Sequence, residues 1–121
     1  NTKKPLQTID EVFDADKLQQ HADYYLQVML YAANLRIDAK LNPQQLPVSP
    51  ALLFIQHATA QDYDPTLLLG KEKVDDIQRY EADFLSLLKE LIEEIFNPDI
   101  DFNPTEDKAQ CASCPYRSIC L

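Results

Sequence analysis

Apolar residues fall at helical spacing in two long stretches, and everything between them is short or irregular. From about Asp16 to Arg36, Leu18, Ala22, Tyr25, Leu26, Met29, Ala33 and Ile37 recur at steps of three and four. Tyr24, Val28, Tyr31 and Leu35 add a second apolar stripe, and over Tyr24 to Ala33 only Gln27 is strongly polar. The pattern predicts a helix over 15–37 whose middle is buried on most sides. Asp14 or Asp16 stands where a helix cap is needed. Residues 1–14 are polar with isolated Ile9, Val12 and Phe13, and read as an opening loop with one short turn.

The second periodic stretch runs over 75–96. Ile77, Phe84, Leu87, Leu88, Leu91 and Ile95 are its predicted buried face, and Glu81, Asp83, Lys89, Glu90, Glu93 and Glu94 its solvated one. Asn97-Pro98 ends it. Between the helices, Leu41 to Pro50 carries prolines and no period, which predicts a loop. Ala51-Leu-Leu-Phe-Ile-Gln56 reads as a strand, Ala60 to Pro65 as a turn, and Thr66 to Leu69 before Gly70 as a second, antiparallel strand, giving a strand pair over 51–70. Asp99 to Gln110 is an extended link in which Pro104-Thr105-Glu106 can start one helical turn, leading into a tail over 104–121.

Length and charge narrow the classes open to these elements. A chain of 121 residues is one domain at most, and 45% hydrophobic residues suffice for a core. The net charge of −9 repels phosphate backbones and acidic membranes, so contact with nucleic acid needs a local patch or another part of a larger protein. No apolar run has the length of a membrane span, and no signal peptide opens the chain. The first residue is Asn1 rather than methionine, which leads us to expect part of a longer protein. A single glycine leaves few tight loops for cradling phosphate.

All 3 cysteines lie in the last eleven residues, as Cys111-x2-Cys114-Pro-x4-Cys120. An odd number in one motif argues against a disulfide framework and for a reducing, cytoplasmic setting. A C-x2-C turn can aim two thiolates at one metal centre, and five further residues can bring a third alongside. Zinc normally comes with a second close pair, and the available partners, His21 and His57, are not spaced as one. Three ligands of a four-ligand iron–sulfur cluster is the favoured reading, with zinc and free thiols as its alternatives.

Gln27 and Tyr31 are four apart and share a helix face. An amide in an apolar helix needs hydrogen-bond partners, so Gln27 is either a core glutamine satisfied by backbone or half of a polar pair aimed at a site. Two acidic-x-Lys triplets, Asp38-Ala39-Lys40 and Glu106-Asp107-Lys108, are about what composition alone produces, and neither lies on a strand beside a second acid. We discount both as catalytic. No Walker loop, nucleophile elbow or His-Glu-x-x-His helix is present.

Taken in order, these pieces resemble the C-terminal part of RecB-family PD-(D/E)XK nucleases, most closely the AddB-type subunits of helicase–nucleases. Gln27-Val-Met-Leu-Tyr31-Ala32 is similar to the family's Q-x-x-x-Y helix. Phe102-Asn-Pro-Thr105 followed by the cysteine tail is similar to its iron–sulfur segment. The resemblance implies an α/β fold of the restriction-endonuclease type, of which this chain would be a fragment with two long helices, a short β-hairpin and the Cys-rich tail. It implies that Cys111, Cys114 and Cys120 hold a [4Fe–4S] cluster with one cysteine from upstream, stapling distant parts of the chain. The family's Mg²⁺-binding Asp and (D/E)-x-Lys strand precede the motif helix, so the chain is expected to begin just past them and to be inactive alone. Gln27 and Tyr31 would stand at the active-site edge. The implied function is exonucleolytic DNA processing in double-strand break repair, with a helicase or helicase–nuclease partner subunit. Two structural expectations follow: a bare sheet edge that pairs with a second copy or with the N-terminal segment, and a tail that, lacking its cluster, is poorly ordered or bonded some other way. The rival class is a non-catalytic interaction module with a metal-stapled tail, or a degenerate nuclease-like domain.

Overall fold

The computed structural model describes residues 4–120. Asn1 to Lys3, read as part of the opening loop, and Leu121, at the end of the tail, lie outside the described residues.

The chain opens with two 3-10 helices, Asp10–Phe13 and Ala15–Gln20, and then enters α1, Ala22–Ile37. The helix expected to run unbroken over 15–37 is thus interrupted. His21 adopts a left-handed backbone conformation, φ 65° and ψ 33°, and stops one helix while starting the next. Its N–H donates to the Leu18 carbonyl, and its own carbonyl accepts from Tyr25 N–H. Periodicity does not see this break, because apolar residues keep their spacing across it. Asp14 caps the 3-10 helix Ala15–Gln20 by accepting from Asp16 N–H at 2.9 Å.

α1 supplies the centre of the core. Ala22, Tyr25, Met29, Ala32 and Ala33 are buried against Leu6, Val12, Leu67, Leu69, Val74, Ile77 and Phe84. The small side chains at 22, 32 and 33 let neighbouring segments approach closely, and Met29 fills the space between them. The expectation that the helix middle is buried on most sides is not met: Tyr24 and Tyr31 are 46% and 61% exposed, and Gln27 is exposed.

The strand pair also differs from expectation. The two strands are β1, Leu68–Leu69, and β2, Glu72–Lys73, antiparallel with Leu69 opposite Glu72. The loop between them is Gly70-Lys71. Gly70 has φ 63° and Lys71 does not have a positive φ, the combination a type II′ hairpin turn requires. Residues 51–56 are not a strand. They meet the predicted partner at one antiparallel bridge, Ala51 to Thr66, and then turn into a 3-10 helix, Ile55–His57. The reason is a side chain. The Phe54 N–H donates to the Tyr63 hydroxyl at 2.7 Å, and that hydroxyl donates to the Leu52 carbonyl at 3.1 Å. Tyr63 satisfies the backbone groups a ladder would have taken, so no second strand is needed. The sheet edge expected to seek another strand is correspondingly only two residues long, and the Gly70 N–H at its turn donates to the Leu6 carbonyl at 2.7 Å.

The second long helix, α2, spans Gln78–Ile95. Of its predicted inner face only Ile77, just before it, and Phe84 are buried; Leu87, Leu88 and Leu91 are half-buried, and Ile95 is exposed. Phe84 meets Phe13 with ring centroids 5.5 Å apart. The first turns of α2 therefore lie on the core, and its C-terminal half extends past it.

A polar clasp joins the end of α1 to the start of α2. Arg36, 9% exposed, donates from Nε to Asp76 Oδ1 at 3.3 Å and from Nη2 to Gln78 Oε1 at 2.6 Å. Asp76 Oδ1 also accepts from the N–H groups of Val48 and Gln78. Burial pushes the Asp76 carboxyl up, but those two N–H groups and the charge and hydrogen bond of Arg36 together outweigh it and hold the group below its ordinary value. Buried Asn42 holds the loop between, donating to the Arg36 and Leu46 carbonyls and accepting from Leu46 N–H.

The tail forms two short helices. Asp107 caps α3, Lys108–Ala112, by accepting from Ala109 N–H at 3.0 Å, and α4, Arg117–Cys120, follows. The expected single turn from Pro104 thus begins later and is followed by another. A C-x2-C spacing is itself a turn: Cys114 N–H donates to the Cys111 carbonyl, and Arg117 N–H to the Cys114 carbonyl.

Candidate functional site

Three groups of residues offer chemistry: the outer face of α1, the cysteine tail, and a cleft beside His21. On α1 the four-residue spacing places Gln27 and Tyr31 side by side, and Gln27 Nε2 donates to the Tyr31 hydroxyl at 2.9 Å. Both are exposed, so the core-glutamine alternative does not describe this amide. Tyr24, Gln27, Tyr31 and Leu35 follow one another at steps of three and four, which puts them on one stripe. Leu35 is 40% exposed. A helix that is apolar on two sides and packed on only one presents the other as a contact surface.

In the tail, Cys111, Cys114 and Cys120 line a single cavity of about 150 Å³ together with Lys108 and Arg117. The thiols are free of disulfides. α3, the turn at Cys114 and α4 bring the three cysteines to this one cavity. Yet among the described residues no three His, Cys, Asp or Glu side chains come close enough to hold a metal ion. The three cysteines thus share a cavity wall without forming a ready-made metal site. Lys108 and Arg117 set positive charge beside what would be an anionic centre.

The same result holds for the acids. Among the described residues there is no carboxylate group able to hold an ion. The discounted triplets have structural uses. Asp38 Oδ1 accepts from the N–H groups of Lys40 and Leu41, closing α1, and Asp107 caps α3. Neither belongs to a cluster of three or more acids among the described residues.

The cleft was not legible in the sequence. It encloses about 570 Å³ between the His21 junction and the 52–66 segment, with Tyr25, Phe54, His57 and Tyr63 in its walls. His21 stacks on Tyr24 with rings 4° from parallel and centroids 5.1 Å apart, and meets Phe54 at 5.2 Å. Burial raises the Tyr25 hydroxyl above its ordinary value. The charged pair Asp64 and Lys73 flanks the cleft in solvent, and the hydrogen bond from Lys73 holds Asp64 well below the usual carboxylate range. Both histidines were weighed only as metal ligands in the sequence, where nothing signals that His21 turns left-handed and meets Phe54.

With this geometry in hand, the comparison with known families gives the class. A sequence model of the PD-(D/E)XK nuclease superfamily matches residues 7–121, nearly the whole chain, and the chain belongs to that superfamily. It is therefore a nuclease-type domain, mixed helix with a small two-stranded antiparallel sheet. No curated protein and no solved structure matches it significantly. No helix among the described residues is long and apolar enough to cross a membrane.

Proposed function

We propose that this chain is the cluster-bearing portion of a RecB-type, AddB-like DNA exonuclease domain, working with a helicase or helicase–nuclease subunit in cytoplasmic double-strand break repair. The observation that carries the reading is the cysteine tail: three thiols lining one cavity, in a chain of the nuclease superfamily. Cys111, Cys114 and Cys120 hold three corners of a [4Fe–4S] cluster, and a fourth cysteine comes from outside these residues. The cluster supplies a covalent staple rather than chemistry, tying the tail to a remote segment and stabilising both by closing a long loop.

The reaction is phosphodiester hydrolysis assisted by Mg²⁺ on carboxylates outside these residues. This chain's part in it is positional. Gln27 and Tyr31 face outward from a rigid helix, each ordering the other, and present an amide oxygen and a phenol to the scissile strand or to the catalytic groups. The apolar stripe around them packs against the elements that carry the carboxylates, which accounts for its exposure here.

Iron and acid-labile sulfide analysis of the intact protein, purified without oxygen, tests the reading. The expected result is about four irons with matching sulfide, lost on Cys114→Ser together with a fall in melting temperature. Stoichiometric zinc would instead favour the interaction module, a reading supported by the net charge of −9 and the lack of a carboxylate cluster among the described residues.

A further inference from the structure

We propose that the cleft beside His21 binds unpaired nucleobases by stacking, so that a single DNA strand runs from it along α1 to Gln27 and Tyr31. The proposal rests on the nuclease reading for the kind of ligand and adds where and how it is gripped.

Four observations carry it. Three rings meet at the cleft edge, Tyr24 stacked in parallel on His21 and Phe54 tilted 40° to His21. Flat rings with π-faces set beside a cavity are what sequence-tolerant strand binding uses, since every base has a face to offer. The volume of about 570 Å³ falls in the range of sites for small organic groups, about 300–1,000 Å³. Second, the stack is continuous with the Gln27–Tyr31 pair. Tyr24 shares their stripe, and the seven residues to Tyr31 cover about 10 Å of helix, the length of about three stacked nucleotides at ~3.4 Å each.

Third, the charge around the cleft disfavours phosphate as the gripped group. Asp62 and Asp64 lie in its wall with Lys4, and Lys73 is engaged with Asp64. An acidic rim on a chain of net charge −9 offers little to a phosphate, so grip must come through the rings. Fourth, His21 holds a left-handed backbone conformation that glycine would adopt without strain. Gln45 holds a similar conformation, φ 52°, in a loop, so what distinguishes His21 is the contacts of its side chain. Here the conformation delivers the imidazole between Tyr24 and Phe54.

The test is fluorescence anisotropy with the whole chain and two labelled strands of about ten nucleotides, one oligothymidylate and one abasic with the same phosphates. Oligothymidylate should bind about 5- to 100-fold more tightly than the abasic strand. Its affinity should fall little with salt, with a slope corresponding to fewer than about two phosphates. Phe54→Leu, which keeps an apolar side chain but no ring, and His21→Gly, which relieves the backbone, should both bring binding to the abasic level without lowering the melting temperature. Phe54→Tyr should restore it. Equal affinity for the two strands, absence of binding to both, or wild-type binding by Phe54→Leu would overturn the proposal. The nuclease reading is scored separately, by DNA cleavage in the intact protein: cleavage with base-indifferent binding removes the cleft and leaves the nuclease, and base-dependent binding without cleavage does the reverse.

Discussion

The two long helices are nearly equal in length and opposite in how they use it. α1, 16 residues, has apolar side chains all round, and six of its residues are buried. α2, 18 residues, has the cleaner amphipathic pattern, yet Phe84 alone is buried within it. A sharp apolar face tells which side of a helix can bury, not whether a partner is there to bury it. Both helices therefore keep apolar surface in water for different reasons: α1 because its second face carries Gln27 and Tyr31, and α2 because its C-terminal half, with Ile95 45% and Phe96 80% exposed, runs beyond the core.

Truncation separates the two halves of α2 most strongly. Phe84→Ala removes a fully buried ring packed on Phe13 and should cost about 3–5 kcal/mol of unfolding free energy. Ile95→Ala on the same helix should cost less than about 0.5 kcal/mol. Chemical denaturation of the two variants measures the difference, and similar losses would mean that the distal half of α2 is packed after all.

The clasp between the helices gives the next largest effect. Asp76→Ala leaves Arg36 buried without its carboxylate and should cost about 2 kcal/mol, below the range for a fully buried pair because 20% of the Asp76 side chain remains in water. The pH dependence has a definite sign. The folded-state value of Asp76 is depressed, so its contribution is fully present above the unfolded carboxylate value of about 3.9 and is lost as pH falls through the lower, folded value. Wild type should therefore lose more stability than Asp76→Ala on acidification in thermal melts, and parallel curves would contradict the role given to the clasp.

The hairpin that leads Val74 and Ile77 into the core provides a smaller change. Gly70→Ala should cost about 1 kcal/mol, because an L-residue at φ 63° is strained although a Cβ there would meet only the Gln7 backbone and side chain at ordinary contact distance. Urea unfolding reads this directly, and a neutral result would place the turn outside the cooperative unit.

How far the sequence reached can be seen in the same elements. Both helices, the proline-bearing loop and the turn between Cys111 and Cys114 were legible because each depends on local spacing: 3.6-residue periodicity, fixed φ at proline, and the turn built into C-x2-C. What was missed depends on a single atom or on distant contacts. One left-handed residue, His21, cut the first helix without disturbing its period. One hydroxyl, on Tyr63, took the hydrogen bonds that a strand over 51–56 required, so a β-like composition gave an extended segment and a 3-10 turn. The pairing of Gln27 with Tyr31 was legible from their spacing, but their exposure was not. An apolar helix reads as buried whether its second face meets this chain or something else.

The claim that this outward face of α1 is functional has one direct test. In the intact nuclease that we propose contains this chain, Gln27→Ala should lower the rate of DNA cleavage by at least about 100-fold, the scale of losing one positioned hydrogen-bonding group. Its melting temperature should stay within about 2 °C of wild type, as for an exposed substitution. Cleavage at the wild-type rate, or a loss of activity matched by a loss of folding, would contradict the account.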